Sequence, residues 1–473
     1  MLYRNLKLNI IFLAHVLVII LCQFEDFRIN ISFLFNWASL FVILYFHLVK
    51  DKEFSPYISS YLVFGYLFLL ISPMYQIYIG LFPNTFPIKN NEVIKLNFYI
   101  FIWNIIFLIA YQIIKKRNKK RLDRDWEVVN IPTDNYLIYL SILAGLSLLI
   151  ILFFHDFIID KLLYHNNGFE KYSVIKSLII RKTFFIIPFI GFLYSIVFLK
   201  QNRNKYEKWK FVLVISILLL LLLIVVKNPM LAKRNALGPL IITIFVFLIP
   251  KWFNKNIRFL FFLLLSMVVG FPIVSIFTHS KHGIFEIILK PLGFLKEIAS
   301  RDLLSEFLTL HYDAYSNVLA TMEYINSYSI VLGEQLLGSL LFFVPRSLWT
   351  DKPIKTGKLI GKHLMDNYNM EFDNLSNPLL SEGLINLGAF SLFLFPVVLA
   401  FLVVKMLQWQ YSKDFFKQVV AIYFSIYLIF ILRGDLSSSL SFFTGTFIGI
   451  YMIPKGLIFL LETILNVIKL KKE

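Results

Sequence analysis

Four arginines carry the strongest chemical signal in this chain. Arg234 sits in Ala-Lys-Arg-Asn, Arg301 opens Arg-Asp-Leu-Leu-Ser-Glu, Arg346 lies in Val-Pro-Arg-Ser-Leu-Trp, and Arg433 ends an apolar run before Gly-Asp-Leu-Ser-Ser-Ser. A guanidinium is permanently charged and grips two oxygens of a phosphate at once. Ionisable groups at membrane depth are costly and mark sites. The bland alternative is a snorkelling side chain, or a local ion pair such as Arg433 with Asp435. Proton acceptors are the second requirement of group transfer, and Glu382, His311, Asp313, His363, Asp373 and Asp435 are the candidates. Glu382 stands where the chain re-enters an apolar run, and partial desolvation there makes a carboxylate a better base. Capping by Ser381 and Glu382 is its structural alternative. His311 and Asp313 are two apart and do not share a helix face, which argues against a simple dyad.

The string Phe-Val-Pro-Arg-Ser-Leu-Trp-Thr-Asp-Lys-Pro, residues 343–353, is not required by membrane insertion. Pro345 and Pro353 stiffen the backbone around Arg346. Trp349 suits either an interfacial belt or a stacking platform for a sugar ring. Gly357 and Gly361 follow, without the spacing of a phosphate-binding P-loop. The histidines are scattered and there is one cysteine, so no His/Cys metal-ligand spacing is visible. That disfavours a metal-dependent nucleotide-sugar transferase.

The elements that must position these residues are membrane helices. The chain is 58% hydrophobic with many apolar runs near the ~20 residues that cross a bilayer, which places it among all-α polytopic membrane proteins. About 12 spans are expected, at 8–21, 31–49, 57–79, 93–114, 136–154, 178–199, 211–226, 237–250, 259–277, 384–404, 419–432 and 442–453. The first is read as a retained helix, since no small-residue cleavage site follows it. Cys22 is an ordinary membrane-facing thiol. The net charge of +18 gathers in short clusters between spans, as cytoplasmic loops require, and does not call for nucleic acid. Both termini then fall in the cytoplasm, with residues 455–470 forming a surface amphipathic helix. Residues 1–277 make an N-terminal membrane unit and 382–473 a C-terminal one. Between them, 278–381 form a large extracytoplasmic loop. Within it Tyr312, Tyr315, Val318, Leu319, Met322 and Ile325 recur at helical spacing, and the apolar run 331–344 suggests re-entrant or interfacial placement.

With its late loop and its motifs, the chain resembles the Wzy-type oligosaccharide repeat-unit polymerases of O-antigen and capsule. The motifs are Val344-Pro345-Arg346-Ser347-Leu348-Trp349 followed by Asp351-Lys352-Pro353 and Gly357, then Asn377-Pro378, Glu382-Gly383, Asn386-Leu387-Gly388 and Arg433-Gly434. The resemblance implies a GT-C-like fold in the bacterial cytoplasmic membrane with its site on the extracytoplasmic side. It implies a metal-independent glycosyltransferase without cofactor, acting on undecaprenyl-diphosphate-linked oligosaccharides among membrane lipids, with a chain-length regulator as a possible partner. Arg234, Arg301, Arg346 and Arg433 would hold the diphosphate, Glu382 and Arg346 would be catalytic, and Trp349, Asp313 and Asp435 would contact sugar. A ligase moving a finished glycan shares this topology. A lipid-linked oligosaccharide flippase would instead place its cations at mid-bilayer, and a glycan O-acyltransferase would want a histidine-centred site.

Overall fold

The computed structural model describes residues 23–118, 126–164, 174–204, 206–228, 234–273 and 304–470, with Leu13, Ile20 and Ala232. Every element among them is helical. Ten helices are long and apolar enough to cross a membrane: α1 (Phe27–Lys50), α2 (Pro56–Ile79), α3 (Asn90–Arg117), α4 (Tyr136–Phe153), α5 (Lys176–Asn202), α6 (Trp209–Val226), α8 (Asn256–Ile273), α12 (Leu379–Gln410), α13 (Phe415–Arg433) and α14 (Leu436–Val467). Between α6 and α8 lies α7 (Arg234–Leu248), with 15 residues. At about 1.5 Å per residue it falls short of the ~30 Å hydrocarbon core. The expected span 8–21 lies outside the described residues apart from Leu13 and Ile20. The twelve-span expectation therefore meets ten full-length helices and one short one among the described residues.

Burial sorts the helices into layers. In α13, Val419, Val420, Ala421, Ile422, Tyr423 and Ile429 are completely buried, so this helix runs through the centre. At the periphery, α6 exposes Val214, Ile217, Leu221 and Ile224. Such an apolar face suits lipid and would be a liability in water. Where α1, α2 and α3 pack, hydrogen bonds supplement dispersion. Asn97 donates to Ser32 at 2.9 Å, Asn104 to Ser39 at 2.8 Å, and Tyr61 to Asn104 at 2.5 Å. Asn36 takes the Leu69 carbonyl at 2.8 Å, within the wide turn Leu67–Ile71 of α2. Each such bond is worth roughly 0.6 kcal/mol in a membrane.

The face carrying the basic clusters is tied by side chains reaching backbone. Asn256 donates to the carbonyls of His47 and Glu53, Gln410 to Phe54, and Gln418 to Glu127. Lys115 bridges Asp51 at 2.8 Å and Glu53 at 2.9 Å. Lys455 meets Asp414 at 2.8 Å, and Glu462 accepts from Tyr139 at the start of α4. The last turns of α14 thus lie over the basic face, with Phe459, Leu460, Ile464 and Val467 exposed.

On the opposite face sits a helical cap: α9 (Ala314–Tyr328), α10 (Glu334–Leu340) and α11 (Thr356–Tyr368). The periodic residues Tyr315, Val318, Leu319 and Met322 of α9 are its buried face. The cap is stapled to the bundle: Gln76 of α2 donates to the carbonyls of Phe307 and Tyr312, Asn84 to Asn317, and Val331 N–H to the Ile385 carbonyl. In the 331–344 run only Glu334–Leu340 is helical, with Leu337 and Leu340 exposed.

Candidate functional site

Arg433 is the last residue of α13, and Arg234 the first of α7. Both reach the same turn of the cap, the short 3-10 helix Leu310–Tyr312 that precedes α9. Arg433 Nη2 donates to the Leu310 carbonyl at 2.6 Å and lies 3.2 Å from Asp313 Oδ1. Its Nε is buried and has no hydrogen-bond partner among the described residues. Arg234 Nη2 stands 2.5 Å from His311 Nε2, and its Nη1 donates to the Phe271 carbonyl at 3.2 Å. Since a guanidinium only donates, His311 accepts and its ring is neutral there. The turn is therefore wedged between two cations.

Its electrostatics follow from burial and that pairing. Asp313 is 1% exposed, and burial pushes its carboxyl above the usual range while Arg433 pulls the other way. Burial lifts the Tyr312 phenol to about 12, Glu306 adds to that, and Arg433 and Arg234 oppose it. Both guanidiniums are thus felt at one hydroxyl.

The other candidates hold different partners. Arg301 falls outside the described residues. Arg346 is exposed and closes its own loop, donating to the carbonyls of Lys352 at 2.7 Å and Pro353 at 3.2 Å. Lys352 in turn donates to the carbonyls of Leu341, Phe342 and Val344 and stands 5.9 Å over the Trp349 ring. Glu382 is completely buried in the first turn of α12; Thr356 donates to Oε2 at 2.7 Å and Leu436 N–H to Oε1 at 3.1 Å. Its carboxylate joins α11, α12 and α14. Asp435 caps α14 by accepting from Ser438 N–H, so the local pairing with Arg433 gives way to Asp313. Asp373 meets Lys358 at 3.4 Å. His363 belongs to a separate cluster with Glu323, Tyr368 and Lys89, in which Lys89 is 2.5 Å from Glu323 and His363 Nε2 is 3.7 Å from it.

Beside the cap an apolar cavity of about 670 Å³ runs between α12, α13 and α14. Val398, Leu402, Phe424, Leu428, Leu440 and Phe443 line its length, Leu336 and Leu340 of the cap one end, and Lys405 and Trp409 the other. Among the described residues no group of three or more histidine, cysteine or acidic side chains is gathered as a metal site.

Sequence reasoning passed over His311 as a partner of Arg234, because it weighed 311 and 313 as helical neighbours. Their turn lies ahead of the helix, and Thr309, which accepts from His311 N–H, was the available signal for that boundary. The Glu323 cluster joins α3, α9 and α11, and no local pattern announces it.

Fold and site together define an all-helical, multi-pass membrane protein with a helical cap on one face and a paired-arginine turn beneath it. No protein-family model, curated protein or solved structure matches the chain.

Proposed function

We propose that this chain is a glycosyltransferase that polymerises oligosaccharide repeat units carried on a polyprenyl diphosphate, at the extracytoplasmic face of the bacterial cytoplasmic membrane. The observation that carries the reading is the meeting of Arg234 and Arg433 on the turn Leu310–Asp313, from helices far apart in sequence. Such a pair suits a leaving diphosphate, whose charge grows as the sugar departs. The buried, unpartnered Nε of Arg433 offers a further donor toward it. The 670 Å³ apolar cavity supports a long-chain lipid carrier.

In the reaction, the bond from the donor's anomeric carbon to the diphosphate oxygen breaks, and the electron pair leaves with that oxygen. A hydroxyl of the acceptor sugar forms the new bond to the same carbon. Its proton goes to His311 Nε2, which Arg234 releases on turning to the phosphate. Asp313 orients the Arg433 fork. Glu382, closed in between three helices, holds the cap to the rim, and Arg346 holds the loop 343–353 in shape.

The experiment is incubation of the purified full chain in liposomes with lipid-linked repeat units. A ladder of polymer is expected. Its absence with authentic units, alongside translocation of those units across the bilayer, would replace this reading with a flippase.

A further inference from the structure

The cap turns two kinds of surface outward. In α9 and α11 the apolar side is buried and the outer side is polar, with Ser327 exposed on the one and Lys358, Lys362 and Asp366 on the other. Helix α10 is reversed. Its Gln335, Gly338 and Ser339 are buried, Gly338 against the Pro353 ring, while Leu337 and Leu340 are exposed. The apolar exposure continues into the loop that follows, where Phe343 is exposed and Leu348 is 81% exposed. A helix with its leucines outward forfeits hydrophobic stabilisation in water and regains it against an apolar medium.

The backbone of that loop gives a second, independent indication. Lys352 Nζ donates to the carbonyls of Leu341, Phe342 and Val344 at 2.8, 3.1 and 2.9 Å. Arg346 takes those of Lys352 and Pro353. Two side chains thus serve five carbonyls of an irregular segment. In water such carbonyls are hydrated and need no protein partner, but beside lipid each must find one within the chain.

The depth of the segment follows from its attachments. Leu336 N–H donates to the Asn386 side chain at 3.0 Å. Asn386 lies just before the 20-residue stretch Ser391–Gln410 of α12, which covers about 30 Å, the thickness of the hydrocarbon core. Leu336 and Leu340 line the apolar cavity together with Leu394 and Val398, which are exposed on α12. The outward face of α10 therefore continues the lipid-facing side of the bundle. Exposed charges on Glu334, Arg346 and Asp351 stand beside it, a mixture that suits headgroups and not hydrocarbon.

We propose that α10 and the loop 341–353 form an interfacial anchor that lies along the cap-side leaflet, with Leu337, Leu340, Phe343 and Leu348 set among phospholipids. The occupant of this face is lipid and not another protein, because the face runs on into the lipid-facing side of α12 and its backbone is satisfied from within. An element of this kind sinks about 5–10 Å into the boundary between headgroups and acyl chains. The anchor stands whether or not the polymerase reading holds.

The test uses the single cysteine of the chain, since the full chain with Cys22→Ser accepts one reporter at a time. Leu337→Cys and Leu348→Cys, with Ser327→Cys and Lys362→Cys as controls, are each coupled to a nitrobenzoxadiazole fluorophore in phosphatidylcholine vesicles. Phosphatidylcholine carrying a nitroxide near its headgroup should quench the first two several-fold more strongly than the controls. It should also quench them more strongly than a nitroxide at the end of the acyl chain. Equally weak quenching at all four positions overturns the anchor. Stronger quenching from the chain end overturns it too, since that places the segment in the hydrocarbon core. Energy transfer between reporters at 337 on separate chains, in place of lipid quenching, gives the face to a second copy and overturns the lipid contact. Leu348 protrudes from the fold, so its reporter still decides the matter if a change at Leu337 disturbs α10.

Discussion

Arg433→Lys keeps the charge that Asp313 faces and removes the planar fork. Polymer formation should fall about a hundredfold or more, the usual effect of losing a donor aimed at developing charge, while thermal unfolding stays near the parent value. An undiminished ladder would exclude the fork from the reaction. Alanine is the poorer choice, since it strands a buried carboxylate at a cost of about 3–5 kcal/mol. His363 offers a test of a different kind. Burial pushes its pKa below the ordinary value, with Glu323 opposing. Folding therefore favours the neutral ring. Its contribution is complete above about pH 6.5, the unfolded value, and is lost as pH falls through the lower folded value. For Glu323, burial alone would raise the pKa, but hydrogen bonds from Lys89 and Tyr368 outweigh it and hold the carboxyl low. Its share persists down to about pH 4.3 before declining. The thermal midpoint should thus drop from pH 6.5 toward pH 5, and His363→Phe, which suits the surrounding tyrosine rings, should flatten that slope. An equally steep slope in the variant would exonerate the histidine.

At the scale of elements, close approaches decide what can change. A Cβ on Gly449 would lie 2.4 Å from the Thr183 carbonyl and 2.2 Å from Ile186 Cγ2, and one on Gly445 would lie 2.8 Å from Lys182 Cβ. These glycines let α14 press against α5, as small residues four apart do between membrane helices. Gly449→Ala should lower thermal stability in detergent, whereas Gly145→Ala, with nothing within 4 Å of its added carbon, should not. Equal midpoints for the two variants would refute the packing argument. In the sequence this pair was hidden inside an apolar run. Gly357, part of the loop signature, and Gly361 were visible there without a structural reason; each lies against a backbone carbonyl, of Leu375 and of Asp373, at 2.2 Å from the would-be Cβ. They let the segment after α11 cross it closely, a purpose that spacing alone does not reveal. Glu382 is similar: the sequence marked it at the re-entry point, yet its partners Thr356 and Leu436 come from other helices.

For the molecule as a whole, membrane crossing was legible because apolar runs of bilayer length leave few alternatives. The α7 run was read as a short span at 237–250, and the helix found there, Arg234–Leu248, is likewise short at 15 residues. The meeting of Arg234 with Arg433 was not legible as geometry, since it depends on where a distant turn of the cap lands. The apolar cavity gives a prediction at this scale. Val398→Trp, which fills its middle, should raise KM for a substrate on a long polyprenyl chain and leave kcat and the KM of a short-chain analogue alone. A shift of equal size for both substrates would dissociate the cavity from the lipid tail.

The staples between cap and bundle carry a further consequence. On the polymerase reading, with Gln76, Asn84 and Val331 tying that roof to the bundle, a lipid-linked reactant comes sideways through the plane of the bilayer. Turnover then responds to surface dilution: mole fraction among lipids sets the rate, and diluting the vesicles with more phosphatidylcholine slows it even at fixed bulk molarity.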